Sequence, residues 1–149
     1  MSKERILSLP CWDSSLELEE LPGGITNRNY KVVAPGGSWM ARVCEDRRVL
    51  GIDRRNELVC QGAAADLGIA PRIFHHEEGI LVSDFIEART LGDEDVREAA
   101  TLRRLAQVLR QLHESRDGLS GEMLYFCPFQ TIRTYVGNAR ELGAALPGN

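Results

Sequence analysis

Two Pro-Gly-Gly triplets, Pro22-Gly23-Gly24 and Pro35-Gly36-Gly37, bracket the run NYKVVA and mark both of its ends as turns. Proline pre-sets one backbone dihedral, and glycine reaches conformations that side chains forbid. A chain so punctuated folds back on itself twice. Ahead of the first triplet, Leu16 to Leu21 reads LELEEL, with apolar residues at 16, 18 and 21 that fit a short strand; Tyr30 to Ala34 is a second strand, and WMARVC, Trp39 to Cys44, a third. The three form an antiparallel meander.

The pattern then changes. Asp53 is a fair N-cap for a helix running through ELVCQGAAADL, with Gly68 as its stop and Pro71 preventing continuation. Arg72 to His75 and Ile80 to Ile86 read as strands four and five, separated by the hydrophilic turn HHEEG. The order strand, strand, strand, helix, strand, strand predicts an α+β unit: a five-stranded antiparallel sheet with one helix. From about Asp95, Leu102, Leu105, Leu109 and Leu112 recur three or four apart and make the apolar stripe of a long helix, which reads as core. RDGLSGEMLYFCPF is loop-like, and Thr131 to Leu142 forms a final helix. The residues before Leu16 are polar and poorly patterned.

The 149 residues, 43% hydrophobic, suffice for one real core. A net charge of −4 argues against a generic polyanion binder, because nucleic-acid affinity rests on neutralising phosphates. Arg47, Arg48, Arg54 and Arg55 accordingly read as a solvated turn and helix face rather than a phosphate-backbone patch. Cys11, Cys44, Cys60 and Cys127 include no C-x-x-C pair, so zinc spacing is absent and reduced thiols are expected. Cys44 and Cys60 read as small core residues, and His75 with His76 as part of a surface turn rather than a metal site. The N-terminus lacks the apolar stretch of a signal peptide and no segment reaches membrane-spanning length, so a soluble, cytoplasmic protein is expected.

Strand three is where a phosphate-binding cation belongs, since a sheet beneath a glycine turn presents alternate side chains to one cavity. Arg42 is the only cation on it; the two lysines, Lys3 and Lys31, lie elsewhere. Met40 shares its face by period-two alternation and would lie beside it as an apolar lid for a flat base. A guanidinium fork binds phosphate and stays charged under partial burial. The alternative is an arginine at a sheet edge in water. An inward arginine needs a partner, because an uncompensated buried charge costs several kcal/mol. Glu57, in the first turn of the helix, is the candidate. The amides of the first glycine turn, with Thr26 and Asn27, could close over phosphates, or these two side chains could simply cap the turn.

GGITNRNYKV, WMARV, GIDRRNE, LGIAP and LVSDFIEA, in that order, together resemble the amino-terminal lobe of the choline/ethanolamine kinase family, within the wider aminoglycoside-phosphotransferase-like small-molecule kinases. The resemblance runs from about Leu21 to His113 and more weakly through PFQTIRTYVGNAREL. It implies a protein-kinase-like amino-terminal lobe over residues 1–86, followed over 87–149 by a linker and the first helices of a helical carboxy-terminal lobe. It implies that Gly23, Gly24, Thr26, Asn27 and Asn29 belong to a nucleotide-covering loop, that Arg42 is the triphosphate-binding cation and Glu57 its helix partner. Ser83 would stand at the back of the adenine pocket, and Asp84, Phe85 and Ile86 would form the hinge. ATP and Mg²⁺ are the implied cofactors, with choline or ethanolamine as acceptor ahead of thiamine or an aminoglycoside.

The family's catalytic aspartate and asparagine, H-x-D-x-x-x-x-N, and its metal ligands belong to the second lobe. Here His113 and Asp117 stand four apart where that motif needs two. The expectation is therefore a fragment without catalytic residues or metal ligands, inactive alone. Its expected partners are a nucleotide and a small hydroxyl acceptor, with no nucleic acid and no membrane, and self-association through the face left exposed. A stand-alone, non-catalytic nucleotide-binding or regulatory module is the rival from another class.

Overall fold

Alternating sequences between glycine turns pair with their neighbours, and in the computed structural model, which describes residues 2–23, 27–44, 52–115 and 123–144, they do so throughout. Strands β1 (Glu17–Leu21), β2 (Arg28–Ala34) and β3 (Gly37–Val43) form the meander, with Tyr30 opposite both Glu20 and Ala41. Helix α2 (Arg54–Asp66) follows, and then β4 (Ile73–Glu77) and β5 (Ile80–Asp84). β5 pairs with β3 and β4 lies outside it, so the sheet order is β1-β2-β3-β5-β4, antiparallel at every step.

Period two divides the sheet into two faces. One is dry: Tyr30, Val32, Ala41, Ile80 and Val82 are buried there against Ile6 and Leu9. The cover comes from helix α1 (Ser2–Leu7), in a stretch whose sequence shows no pattern, because six residues are too few to display helical periodicity. Trp12 continues the cover; its indole N–H donates to the Ile6 carbonyl at 2.9 Å, and its ring lies 5.4 Å from Trp39 and 5.5 Å from Phe74.

The β4–β5 hairpin is tighter than the stretch HHEEG suggests, since His76 and Glu77 are within β4 and only Glu78 and Gly79 turn the chain. Gly79 sits at φ 76°, and a Cβ there would stand 2.8 Å from the Cys44 carbonyl oxygen. The Cys44 amide also donates to the Gly79 carbonyl at 2.8 Å, which holds the neighbouring chain against the hairpin. Gly79→Ala is expected to cost about 2 kcal/mol, the usual range for strain at a positive φ. A urea midpoint equal to that of the parent would show that the hairpin relaxes.

Beyond the sheet lie a short 3₁₀ turn (Asp95–Arg97), helix α3 (Ala99–Glu114) and helix α4 (Pro128–Glu141). α4 begins earlier than expected because Pro128 occupies its first turn, where a missing N–H costs nothing. The leucine stripe of α3 is less covered than a core stripe: Leu102 and Leu109 are about half exposed. Both later segments are tied to α2, through Gln111 Nε2 donating to the Leu67 carbonyl at 2.7 Å and the Leu124 amide donating to Asn56 Oδ1 at 2.8 Å. Among the described residues, no helix is long and apolar enough to cross a membrane.

Candidate functional site

The second face of the sheet is polar where the first is dry. Opposite Ala41, the alternation of β3 turns out Met40 and Arg42; the strand register sets Asn29 and Leu81 beside Arg42, and Lys31 and Ser83 beside Met40. α2 approaches this face, and its start is fixed locally: Asp53 Oδ1 accepts from the amides of Arg55 at 2.8 Å and Asn56 at 3.1 Å. That cap puts Arg54 and Glu57 on one side of the first turn. Asp53→Ala is expected to cost about 1 kcal/mol of stability and to loosen the turn that carries Glu57; amide exchange at residues 55–57 no faster than in the parent would contradict this.

The pairing expected of Arg42 forms. Its Nη1 bonds Glu57 Oε1, and both side chains are three-quarters buried. The structure adds a partner the sequence reading placed in solvent: Arg54 donates through Nη1 to Glu57 Oε2 at 2.6 Å and through Nη2 to Asn27 Oδ1 at 2.7 Å, and only 16% of its side chain is exposed. Two guanidiniums share one carboxylate, so the cluster carries a net single positive charge. Arg54 thus leaves the supposed solvated run; Arg55 stays exposed, and Arg47 and Arg48 lie outside the described residues.

The loop above the cluster is described in part. Gly23 has φ 94° with open space where a Cβ would be, so its backbone conformation rather than crowding requires glycine. Asn27 meets Arg54, and Asn29 belongs to β2 rather than to the loop; Gly24 and Thr26 lie outside the described residues. Two buried polar atoms on this face have no protein partner among the described residues, Arg42 Nε and Asn29 Oδ1, and they belong to directly opposed residues. A buried guanidinium N–H lacking an acceptor suits an oxygen of an incoming anion, so Arg42 fits a phosphate-bearing ligand, whereas Asn29 Oδ1, an acceptor, calls for a donor instead. The described residues contain no group of three His, Cys, Asp or Glu that could hold a metal ion by themselves.

Ser83 is buried at the end of β5. The hinge candidates divide. The Asp84 amide donates to the Arg72 carbonyl at 2.9 Å and the Phe85 amide to the Ser38 carbonyl at 3.2 Å, so both are consumed within the sheet. Ile86, more than half exposed, is the first residue beyond them whose amide makes no backbone hydrogen bond among the described residues. Lys31 is turned toward this corner, its Nζ 2.6 Å from Glu87 Oε1 and 4.4 Å from the centroid of the Phe85 ring. Neither Lys31 nor Glu87 was a sequence candidate; their spacing of 56 residues carries no local signal.

Farther on, Arg89 grips Asp95 with two hydrogen bonds of 2.6 Å, and the Gly92 amide adds a third at 2.7 Å. The guanidinium and then that amide hold the Asp95 carboxyl below its ordinary value, so this clip is present at neutral pH and lost on acidification. Of the cysteines expected in the core, Cys44 is buried, but Cys60 is exposed on the outer side of α2, where helix geometry rather than residue type decides burial.

The same architecture occurs in solved kinases. The choline kinase LicA from Streptococcus pneumoniae superposes with a TM-score of 0.68 at 28% identity, over 91% of this chain and 46% of its own. An ethanolamine kinase from Plasmodium vivax gives 0.58 at 20% identity over 91% of this chain and 32% of its own, and a choline kinase from Cryptosporidium parvum 0.63 at 18% over 84% and 36%. At those last two identities the likeness is one of fold. The chain spans less than half the length of each of the three structures. A sequence search of curated proteins finds no significant match. A family profile, by contrast, matches residues 17–145, the whole sheet with α2, α3 and α4, and by that match the chain belongs to the phosphotransferase enzyme family, APH.

Proposed function

We propose that this chain is the ATP-binding part of a small-molecule kinase that transfers the ATP γ-phosphate to a hydroxyl acceptor, with choline or ethanolamine as the acceptor. One observation carries the reading: Arg42, paired to Glu57 and three-quarters buried, keeps an unmet N–H on the face where it stands opposite Asn29. In this reading Arg42 holds triphosphate oxygens, and the loop from Gly23 to Asn27 covers them. Met40 lies against the base and Ser83 closes the back of its pocket. The adenine edge presents one donor and one acceptor; on an extended stretch alternate residues direct their backbone groups to the same side, which suits the Asp84 carbonyl and the Ile86 amide. Kinases of this family generally use Mg²⁺, whose chemistry is to neutralise charge developing on the phosphates. The residues named here bind and orient the nucleotide and exclude water from one side of it.

The test is calorimetric titration of the chain with MgATP, with adenosine as a control, followed by an assay of ADP release by the full-length product with choline, ethanolamine, thiamine and an aminoglycoside. MgATP binding with turnover on choline or ethanolamine supports the whole reading, and turnover on another acceptor replaces the acceptor alone. Binding without turnover by this chain is the result expected of the nucleotide-binding part alone; absence of turnover in the full-length product as well favours a non-catalytic nucleotide-binding module. No binding overturns the proposal.

A further inference from the structure

We propose that Arg54 is a positioning residue that locks the nucleotide-covering loop to α2, its forked guanidinium holding Asn27 with one nitrogen and Glu57 with the other. The inference rests on the nucleotide-binding reading of Arg42 and goes beyond it. A guanidinium only 16% exposed is costly to leave half-bonded, and here both terminal nitrogens are engaged, at 2.6 Å and 2.7 Å. The two partners differ in kind. Glu57 is charged, but Arg42 already neutralises it through the other carboxylate oxygen. Asn27 is neutral and stands 27 residues away in sequence, so what this second bond supplies is position: it fastens the loop that follows Gly23 to the first turn of the helix.

Sharing also changes what Arg42 can do. Were Arg42 the sole counter-ion of Glu57, turning its donors toward an anion would leave a three-quarters buried carboxylate uncompensated. With Arg54 on the second oxygen, Glu57 stays compensated while Arg42 offers its unpartnered Nε to a phosphate. The surplus positive charge of the cluster then lies beside Asn27, at the end of the glycine turn.

The fork, not the charge alone, performs this task, and lysine separates the two because a single ammonium on a flexible stem is a point charge that does not reproduce the planar two-sided grip. Dissociation constants for MgATP and for adenosine are to be measured on the chain and on Arg54→Ala, Arg54→Lys, Asn27→Ala and the double variant Arg54→Ala/Asn27→Ala. A hydrogen bond to a charged group is worth enough to predict that each single variant weakens MgATP binding roughly tenfold, with adenosine binding unchanged and the double variant no weaker than Arg54→Ala. Asn27→Ala leaves the helix turn intact, so it reports even where removal of Arg54 disturbs folding. Parent-like MgATP affinity in Arg54→Lys, additive losses in the double variant, or a parallel loss of adenosine binding would each overturn the proposal. Arg42→Ala, run beside them, keeps the two levels apart: if it too leaves MgATP binding unchanged, the nucleotide reading has failed, and if it alone weakens binding, only the role of Arg54 has.

Discussion

Arg42→Ala is expected to weaken MgATP binding by between about tenfold and a hundredfold, while adenosine binding and the folded state persist. The size follows from removing a charged donor from a partly desolvated site, where a hydrogen bond to an ionised group contributes about 1.5–3 kcal/mol and each 1.4 kcal/mol is a factor of ten. The selectivity for the phosphates follows from position: Arg42 lies beside Asn29 at the glycine-turn end of the face, whereas the base corner is built by Met40, Ser83 and the segment after β5. Folding survives because Arg54 still engages Glu57 at 2.6 Å, so the substitution does not strand a buried carboxylate. Arg42→Lys should recover part of the loss, since a lysine restores the charge without the fork. Calorimetry with the two ligands reads both effects. Equal losses for ATP and adenosine would mean that Arg42 supports the sheet rather than the triphosphate.

How legible this site is in the sequence depends on the range of the interaction behind each part. The hairpins are legible because glycine and proline act within four residues, and the start of α2 because Asp53 caps amides two and three positions on. The Arg42–Glu57 pair spans fifteen residues, yet it is legible too: alternation fixes the face of the arginine, a buried cation demands an anion, and the helix turn that can supply one is next in the chain. Arg54 fails that test. An arginine opening a helix reads the same whether it points to water or folds back onto a loop, and only the return of Asn27 over the sheet decides the matter. The hinge amides fail for a similar reason, since their availability depends on the carbonyls of Ser38 on β3 and of Arg72 just ahead of β4. α1 is invisible to periodicity because it is short; its task, covering the dry face with Ile6 while Leu9 just beyond it adds to the cover, emerges only once the sheet exists. The α3 stripe marks an apolar face correctly, but what lies over such a face is not encoded in the stripe.

Tyr30→Ala is expected to cost about 3–5 kcal/mol, as for other large aromatic truncations in a core that cannot collapse around the void. Tyr30 is fully buried among Val32, Ala41 and Val82 on the face that α1 covers. Against a total stability of about 5–15 kcal/mol for a domain, that loss leaves little. Tyr30→Phe should behave oppositely. The phenol oxygen is buried and has no hydrogen-bond partner among the described residues, so removing it deletes an unsatisfied polar atom and is expected to leave stability unchanged or slightly raised. Urea unfolding of both variants separates the two contributions of one residue, and a Tyr30→Phe loss above about 1 kcal/mol would mean that the hydroxyl has a partner after all. The site depends on this core through β2 itself: Asn29 and Lys31 flank Tyr30 in the strand and project to the opposite face, beside Arg42 and Met40. A void under Tyr30 therefore acts on the phosphate end and the base end of the cleft together, so in Tyr30→Ala affinity for MgATP and for adenosine should fall in step, unlike the selective loss expected from Arg42→Ala.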